Sequence, residues 1–400
     1  MKSELARRIA FTLGALLVYR LGTYIPLPGI DPDIWEQVFE SQAGGILGVF
    51  NILAGGGIHR MAIFALNIMP YFSAAILIQL VSMVSPKLNA LSRGGEAGRR
   101  KIARYTIALA ISLAAFQAFG IASGLQNVPN LVGDPGGLFL LSAAVTLTGG
   151  MVLLIWLSEQ ITVRGIGNGL ALLIFASVAV EMPRAVAEML ELTRQGALST
   201  GQASLLAILS VAMVGLVVFV ELARRRVPLE FAARKIGKRS IPAQSSYLPL
   251  KLNSSGVIPT IMAPWLLLPL LTVGLVLGQT SWLDATISHL RIGQLGHMIF
   301  SSIAIIILAF IYTSFVIDPE HAADSLKKGG AVIPGIEPGE PTAEHLDRIV
   351  SYTTCIGSLY LAAVFLIPEL WLSLGQVPFY LGGASVLVVV CTVLDIETQV

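Results

Sequence analysis

Side chains able to do chemistry are few in this chain, and they are scattered. Five histidines (His59, His289, His297, His321 and His345) fall in loops or at the ends of apolar segments and show no metal-ligand spacing. His-Glu-x-x-His is absent, so no helix face offers a zinc pair to an intramembrane protease. Gly-x-Ser-x-Gly, which would expose a nucleophilic serine, is absent too. The glycine-rich run 93–100 lacks the Gly-Lys-Ser/Thr ending of a phosphate-binding loop. Cys355 and Cys391 sit inside apolar segments and read as isolated buried thiols, with no disulfide framework and no metal. These residues encode neither a catalytic site nor a cofactor, which argues against an enzyme.

The elements that must position anything here are membrane helices. Hydrophobic residues make up 55% of the 400 and charged ones only 12%, with a mean hydropathy of +0.78. Soluble domains carry about 25% charged residues, so this is an integral membrane protein. Ten segments have the length a bilayer core demands: 8–25, 65–84, 105–124, 138–158, 169–190, 204–223, 254–277, 296–317, 349–370 and 379–397. The first lacks a small-residue cleavage site and reads as an uncleaved span. Residues 1–7 read as a short basic amphipathic helix lying on the membrane surface.

Charge fixes the orientation. All but five of the 26 Lys and Arg lie on the side of the N-terminus; the exceptions are Arg20, Arg60, Arg184, Arg194 and Arg291. The positive-inside rule makes that side, and both termini, cytoplasmic. Five spans in residues 8–191 and five in 192–400 imply two halves of opposite orientation, an inverted repeat inferred from the count alone.

One stretch fits neither a soluble domain nor an ordinary span. Residues 50–64 run from Phe50 through Gly55, Gly56, Gly57, Ile58, His59 and Arg60 to Phe64, directly before an apolar segment containing Pro70. Three glycines and an arginine are tolerated at membrane depth only inside protein or a water-filled cavity. This stretch is expected to be a short helix folded back into something hollow.

An ion-coupled small-molecule transporter is the competing class. It would place a carboxylate near the midplane, whereas Glu159, Glu221, Asp318 and Asp395 fall at span ends. Polar residues inside the spans read as uncharged, chiefly Gln79, Gln117, Ser73 and Thr146. Gln79 and Gln117 suit interhelical hydrogen bonding or a gate. Arg20 reads as a snorkelling anchor at the outer end of the first span.

Two basic-side loops, 224–253 and 318–348, are longer than linking adjacent helices requires. The first carries Arg224, Arg225, Arg226, Arg234, Lys235, Lys238 and Arg239, and the second Lys327, Lys328 and Glu337. They serve either as topology signals with an attraction to anionic lipid, or as a docking platform for a large partner.

Ordered motifs along the whole chain resemble those of the bacterial SecY family. They are YRLGTYIPLPGI at 19–30, IFALNIMPY at 63–71, GGEAGRRKI at 94–102, EQITVRGIGNG at 159–169, LPLKLN at 248–253 with GVIP at 256–259, and DSLKKGG at 324–330 with IPG at 333–335. The resemblance implies an all-α membrane channel of ten helices in two inverted halves around an hourglass pore, with 50–64 as a plug. It implies a pore ring at Phe72, Ile76, Val178, Ile261 and Val388. A lateral opening between spans two and seven is also implied, with Gln79, Gln117 and Asn253 as polar residues at the seam. The implied activity is passage of unfolded polypeptide across a bacterial inner membrane and sideways release of membrane helices. Implied partners are SecE, without which the isolated chain is expected to be unstable, SecG, the SecA ATPase, a translating ribosome, and signal peptides on nascent polypeptides.

Three positions depart from the pattern. Phe72 stands where the ring is usually aliphatic, implying a bulkier seal. Glu337 replaces the usual arginine in Pro-Gly-Ile-x-Pro-Gly and reverses the charge at a partner-contact position. The sequence stops at Val400, before the basic tail the family usually carries.

Overall fold

Hydrocarbon offers a backbone no partner but itself, so apolar segments of this length fold as helices. The computed structural model describes residues 2–42, 51, 54–93, 95–196, 198–231, 234–236, 239–241, 244–267, 289–290, 293–375 and 383–398. The N-terminal helices are α1 (Lys2–Gly22), α2 (Pro32–Gln42), α3 (Met69–Val84), α4 (Pro86–Arg93), α5 (Gly95–Gln126), α6 (Gly137–Arg164), α7 (Gly169–Arg194) and α8 (Thr200–Leu222). They are followed by α9 (Ile258–Trp265), α10 (Leu295–Val316), α11 (Pro319–Gly329), α12 (Glu340–Gly375) and α13 (Gly383–Glu397). Each predicted span contains one of these helices. Six are long and apolar enough to cross a membrane. On α8, Ile208, Val211 and Phe219 are exposed, as suits a lipid-facing surface.

Two boundaries differ from expectation. Residues 2–22 form one uninterrupted helix, so no break separates a surface segment at 1–7 from the first span. The second span begins at Met69, not 65, because Pro70 lacks an N–H and belongs in a first helical turn. Other ends follow local chemistry. The Asn168 side chain accepts from the backbone N–H of Leu170 and Ala171 to start α7, and a Ser199–Gln202 capping box starts α8.

Small residues let the helices approach. Ala110, Ala114, Ala118 and Ala122 form a fully buried stripe on α5, which packs against α3 and α6. One apolar cluster joins residues of both halves, among them Ile76, Val178, Val217, Ile261, Ile305, Phe365 and Val388.

The two long loops are not separate excursions. Strands β1 (Arg224–Phe231) and β4 (Gln244–Lys251) pair antiparallel, with Arg224 opposite Lys251 and Phe231 opposite Gln244. Between them, β2 (Arg234–Ile236) pairs with β3 (Arg239–Ile241). From the other loop, β5 (Ala331–Val332) adds to the free edge of β1, with Val332 opposite Glu230. Val227 and Leu229 alternate inward along β1 and meet Ile333, Leu346 and Ile349. The loops thus share one small core.

Candidate functional site

Residues from both halves wall a cavity of about 520 Å³. Phe72, Ile76 and Gln79 reach it from α3, Ile174 from α7, Ile261 from α9, and Val388, Cys391 and Asp395 from α13. Its wall extends to Glu221, Arg224, Lys251 and Asn253 on the basic side. Four of the five expected ring residues, Phe72, Ile76, Ile261 and Val388, therefore lie around one space. Val178 does not line it; it is 1% exposed and packed inside the adjoining apolar cluster, with Ile174 one turn earlier on the wall. Cys391 lies on the wall and Cys355 is exposed, so neither is the buried thiol expected.

Residues 54–68, which lead into α3, form a succession of turns, not the expected short helix. The reason is in the backbone. Gly55 and Gly56 take φ of +62° and +78°, and Met61 and Asn67 are forced to +42° and +48°, values a side-chain-bearing residue resists. Phe50 lies outside the described residues. Gly57 is buried among the turns, its N–H donating to Ala54 O at 3.1 Å.

These turns are held on every side. Phe64 stacks on Tyr19 of α1, with ring centroids 6.0 Å apart and planes within 10°. The Tyr19 and Ser177 hydroxyls share a hydrogen bond of 2.5 Å. Arg20 Nη1 donates to Gly55 O at 2.8 Å, and Arg60 and Arg20 both lie over the Tyr24 ring at 4.1 and 4.7 Å. Arg20 thus faces inward onto the turns, not outward as a snorkelling anchor. Gly150 of α6 comes so near Ile63 O that a Cβ there would collide with it. Ile58 packs against the same apolar cluster as the ring residues.

The expected seam residues divide. Gln79 lies both on the cavity wall and in a crevice between α3 and α9, with Ile76, Ile258, Pro259 and Met262. Asn253 is 3% exposed and engaged locally: its Nδ2 donates to Glu221 Oε1 at 2.7 Å, and its Oδ1 accepts from Ser255 Oγ and Gly256 N. Gln117 is on neither; it is buried within α5 at 3% exposure, with Oε1 unpartnered.

On the basic side, Arg224, Arg225 and Arg226 are exposed on β1, and Arg226 lies over the Tyr247 ring at 4.9 Å. Arg234, Lys235 and Arg239 belong to the β2–β3 hairpin, and Lys238 lies outside the described residues. Lys327 and Lys328 are exposed in the last turn of α11, with Glu337 exposed beyond it.

Carboxylates were expected only at span ends; Glu181 in mid-span corrects this, and Glu369, at the end of the ninth predicted span, adds a buried one. Glu181, inside the fifth predicted span, reaches over Gly56 beside Arg60, where an added Cβ would lie 2.7 Å from both side chains. Glu369 of α12 is 0% exposed and 2.6 Å from His297 Nδ1 of α10, while Gly293 N donates to the same oxygen at 3.0 Å. Neither is among the residues lining the cavity. Their signal was plain, a charged residue within an apolar run. Trp35 of α2 was missed as well: its Nε1 donates to Ile58 O at 2.8 Å.

Apolar helices from both halves around a cavity that reaches the basic side, with a turn-rich segment packed against the same apolar cluster, define a membrane channel. The chain belongs to the SecY family, whose profile matches residues 62–397. It is 44% identical over 403 residues to the protein translocase subunit SecY of Escherichia coli strain K12, spanning 99% of this chain and 91% of that protein. Two solved structures share its fold. One is of a SecY protein described for a plug domain that stabilises the closed state of the translocation channel and maintains a membrane seal, with TM-score 0.67 at 20% identity, covering 99% of this chain and 91% of that one. The other is Sec61 in a canine ribosome–channel complex from the endoplasmic reticulum, with TM-score 0.63 at 18% identity and the same coverage.

Proposed function

We propose that unfolded polypeptides enter the cavity from the cytoplasmic side, pass the constriction at Phe72, Ile76, Ile261 and Val388, and cross a bacterial inner membrane after residues 54–68 move aside. The observation that carries this reading is the convergence of those four apolar side chains, from three helices in both halves, on one cavity, with Ile58 of the turns packed against the same apolar cluster. An apolar constriction excludes water and ions by dewetting and grips a passing chain without binding it. Val178 supports the ring from behind. The crevice between α3 and α9, with Gln79 at its lip, suits sideways exit of a span of about 20 apolar residues, which gains free energy by leaving an aqueous pore.

The energy for movement comes from outside this chain, which carries no nucleotide-binding motif. Exposed Arg224–Arg226 and Lys327–Lys328 suit the acidic surface of a motor such as SecA, ribosomal RNA, or anionic lipid. Sec61, a relative in fold, is found bound to a ribosome. SecE and SecG complete the assembly in this reading, and both termini face the cytoplasm. Signal peptides open the seam as they enter.

The test is site-specific photocrosslinking with an arrested translocation substrate in membrane vesicles. A photoreactive residue at Ile76 or Ile261 captures the arrested chain, whereas one at Ile208, 66% exposed on the lipid face of α8, does not. Equal capture at all three sites, or none at any, overturns the path.

A further inference from the structure

We propose that α2 is an external clasp for the plug, with Trp35 as its positioning residue; this rests on reading residues 54–68 as a plug. The clasp has a fixed end and a gripping end. At the fixed end, Asp31 N donates to Leu131 O at 2.8 Å, Gly133 N donates to Gly29 O at 3.2 Å, and Ile30 bridges to Val132. The Asp31 carboxylate then caps the helix, accepting from Asp33 N and Ile34 N at 3.0 and 3.3 Å. Together these bonds tie the start of α2 to the loop between α5 and α6.

At the gripping end, one face of α2 lies on the turns. The Trp35 indole, 7% exposed, packs with Met61, Ala65 and Leu66 and donates Nε1–H to Ile58 O at 2.8 Å. One turn on, Phe39 meets the His59 ring edge-on, with centroids 5.0 Å apart and planes at 77°. Glu36 Oε1 lies 3.7 Å from His59 Nε2. All three contacts fall on Ile58 and His59, and the Ile58 side chain packs against the ring cluster. The indole bond therefore sets how deeply Ile58 sits against the constriction. It exists only while the plug is home, so it weights the closed state and nothing else. Ile58 O also accepts from Met61 N at 2.9 Å. Removing the indole bond thus leaves no orphaned carbonyl, and the effect of Trp35→Phe is at least that of one net hydrogen bond, with the lost indole packing added to it.

The experiment compares single-channel currents of the complete translocase in planar bilayers for the parent, Trp35→Phe, Phe39→Leu and a deletion of 58–64. Expected are long openings for the deletion, at least about a fivefold rise in open-to-closed ratio for Trp35→Phe, and a smaller rise for Phe39→Leu. Melting of the two substituted complexes reports the packing they lose, while the open-to-closed ratio reports the clasp. If the deletion opens the channel while both substitutions stay as closed as the parent, the clasp is wrong and the plug stands. If the deletion itself stays closed, the plug reading falls and the clasp falls with it. If Trp35→Phe fails to assemble, Phe39→Leu decides the clasp alone.

Discussion

Gly55→Ala should open the channel without unfolding it. Gly55 holds φ at +62°, and an alanine forced into that region costs about 1–2 kcal/mol. Its new methyl would stand 2.9 Å from the Tyr19 hydroxyl and 3.1 Å from Ser177 Cα. The hydroxyl has little freedom, being hydrogen-bonded to Ser177, and the Cα is helix backbone. Overpacking of this kind costs at least about 1 kcal/mol more. Alanine also restrains the released segment, which offsets about 0.5 kcal/mol. The balance is about 2 kcal/mol against the closed state, a factor of about 30 in the open-to-closed ratio. Single-channel recording of the complete translocase reads that ratio directly. Gly196→Ala is the control, since Gly196 has φ +74° but nothing within 4 Å of an added Cβ. Equal gating of Gly55→Ala and the parent would show that these turns do not set the closed state. Equal opening by Gly196→Ala would show that backbone strain anywhere in the chain suffices.

Two further outcomes follow from titratable groups. Burial holds the His59 imidazole below its ordinary 6.5, with Arg184 and then Arg60 acting in the same direction against Glu36 and Glu40. A depressed histidine disfavours its protonated form in the closed state, so closure weakens as the outer pH falls below about 6.5 and saturates under the depressed value; the open probability should rise over that window and become flat in His59→Gln. At the buried pair, His297→Ala leaves Glu369 with only the Gly293 N–H, and losing a buried hydrogen-bond partner costs about 1–3 kcal/mol. Thermal unfolding of the purified complex should show that loss, with Ser325→Ala on the exposed face of α11 unchanged.

The spans were legible because a bilayer imposes length and hydropathy, and Lys and Arg sort by side. What failed was what depends on distant partners. Gly55 and Gly56 announced a break, but only Tyr19, Ser177 and Arg20 decide that the chain forms turns there instead of a helix. Strand β1 alternates Val227 and Leu229, yet Pro228 and the flanking arginines disguise it, and its partner β5 lies a hundred residues on. Asp31-Pro32 is an ordinary helix start, so α2 could have been read from sequence; its hold on Ile58 could not. Of the site, Phe72, Ile76 and Ile261 closely follow distinctive motifs, at 63–71 and 256–259. Val178 and Val388 sit in repetitive apolar helices, where a shift of one turn exchanges a wall residue for a packed one.

The shared core of the two long loops also has a mechanical meaning. Val227 and Leu229 from one loop are locked to Ile333, Leu346 and Ile349 from the other, and the foot of the hairpin is riveted by Leu252 N to Ala223 O at 3.1 Å and by Asn253 to Glu221 at 2.7 Å. Asn253 lies five residues before α9, one lip of the seam, and Leu346 and Ile349 already belong to α12. A push on either loop is therefore a torque on a stiff crank, delivered to both helices together. On the proposed reading, a motor pushing at that surface acts on both helices through this shared core.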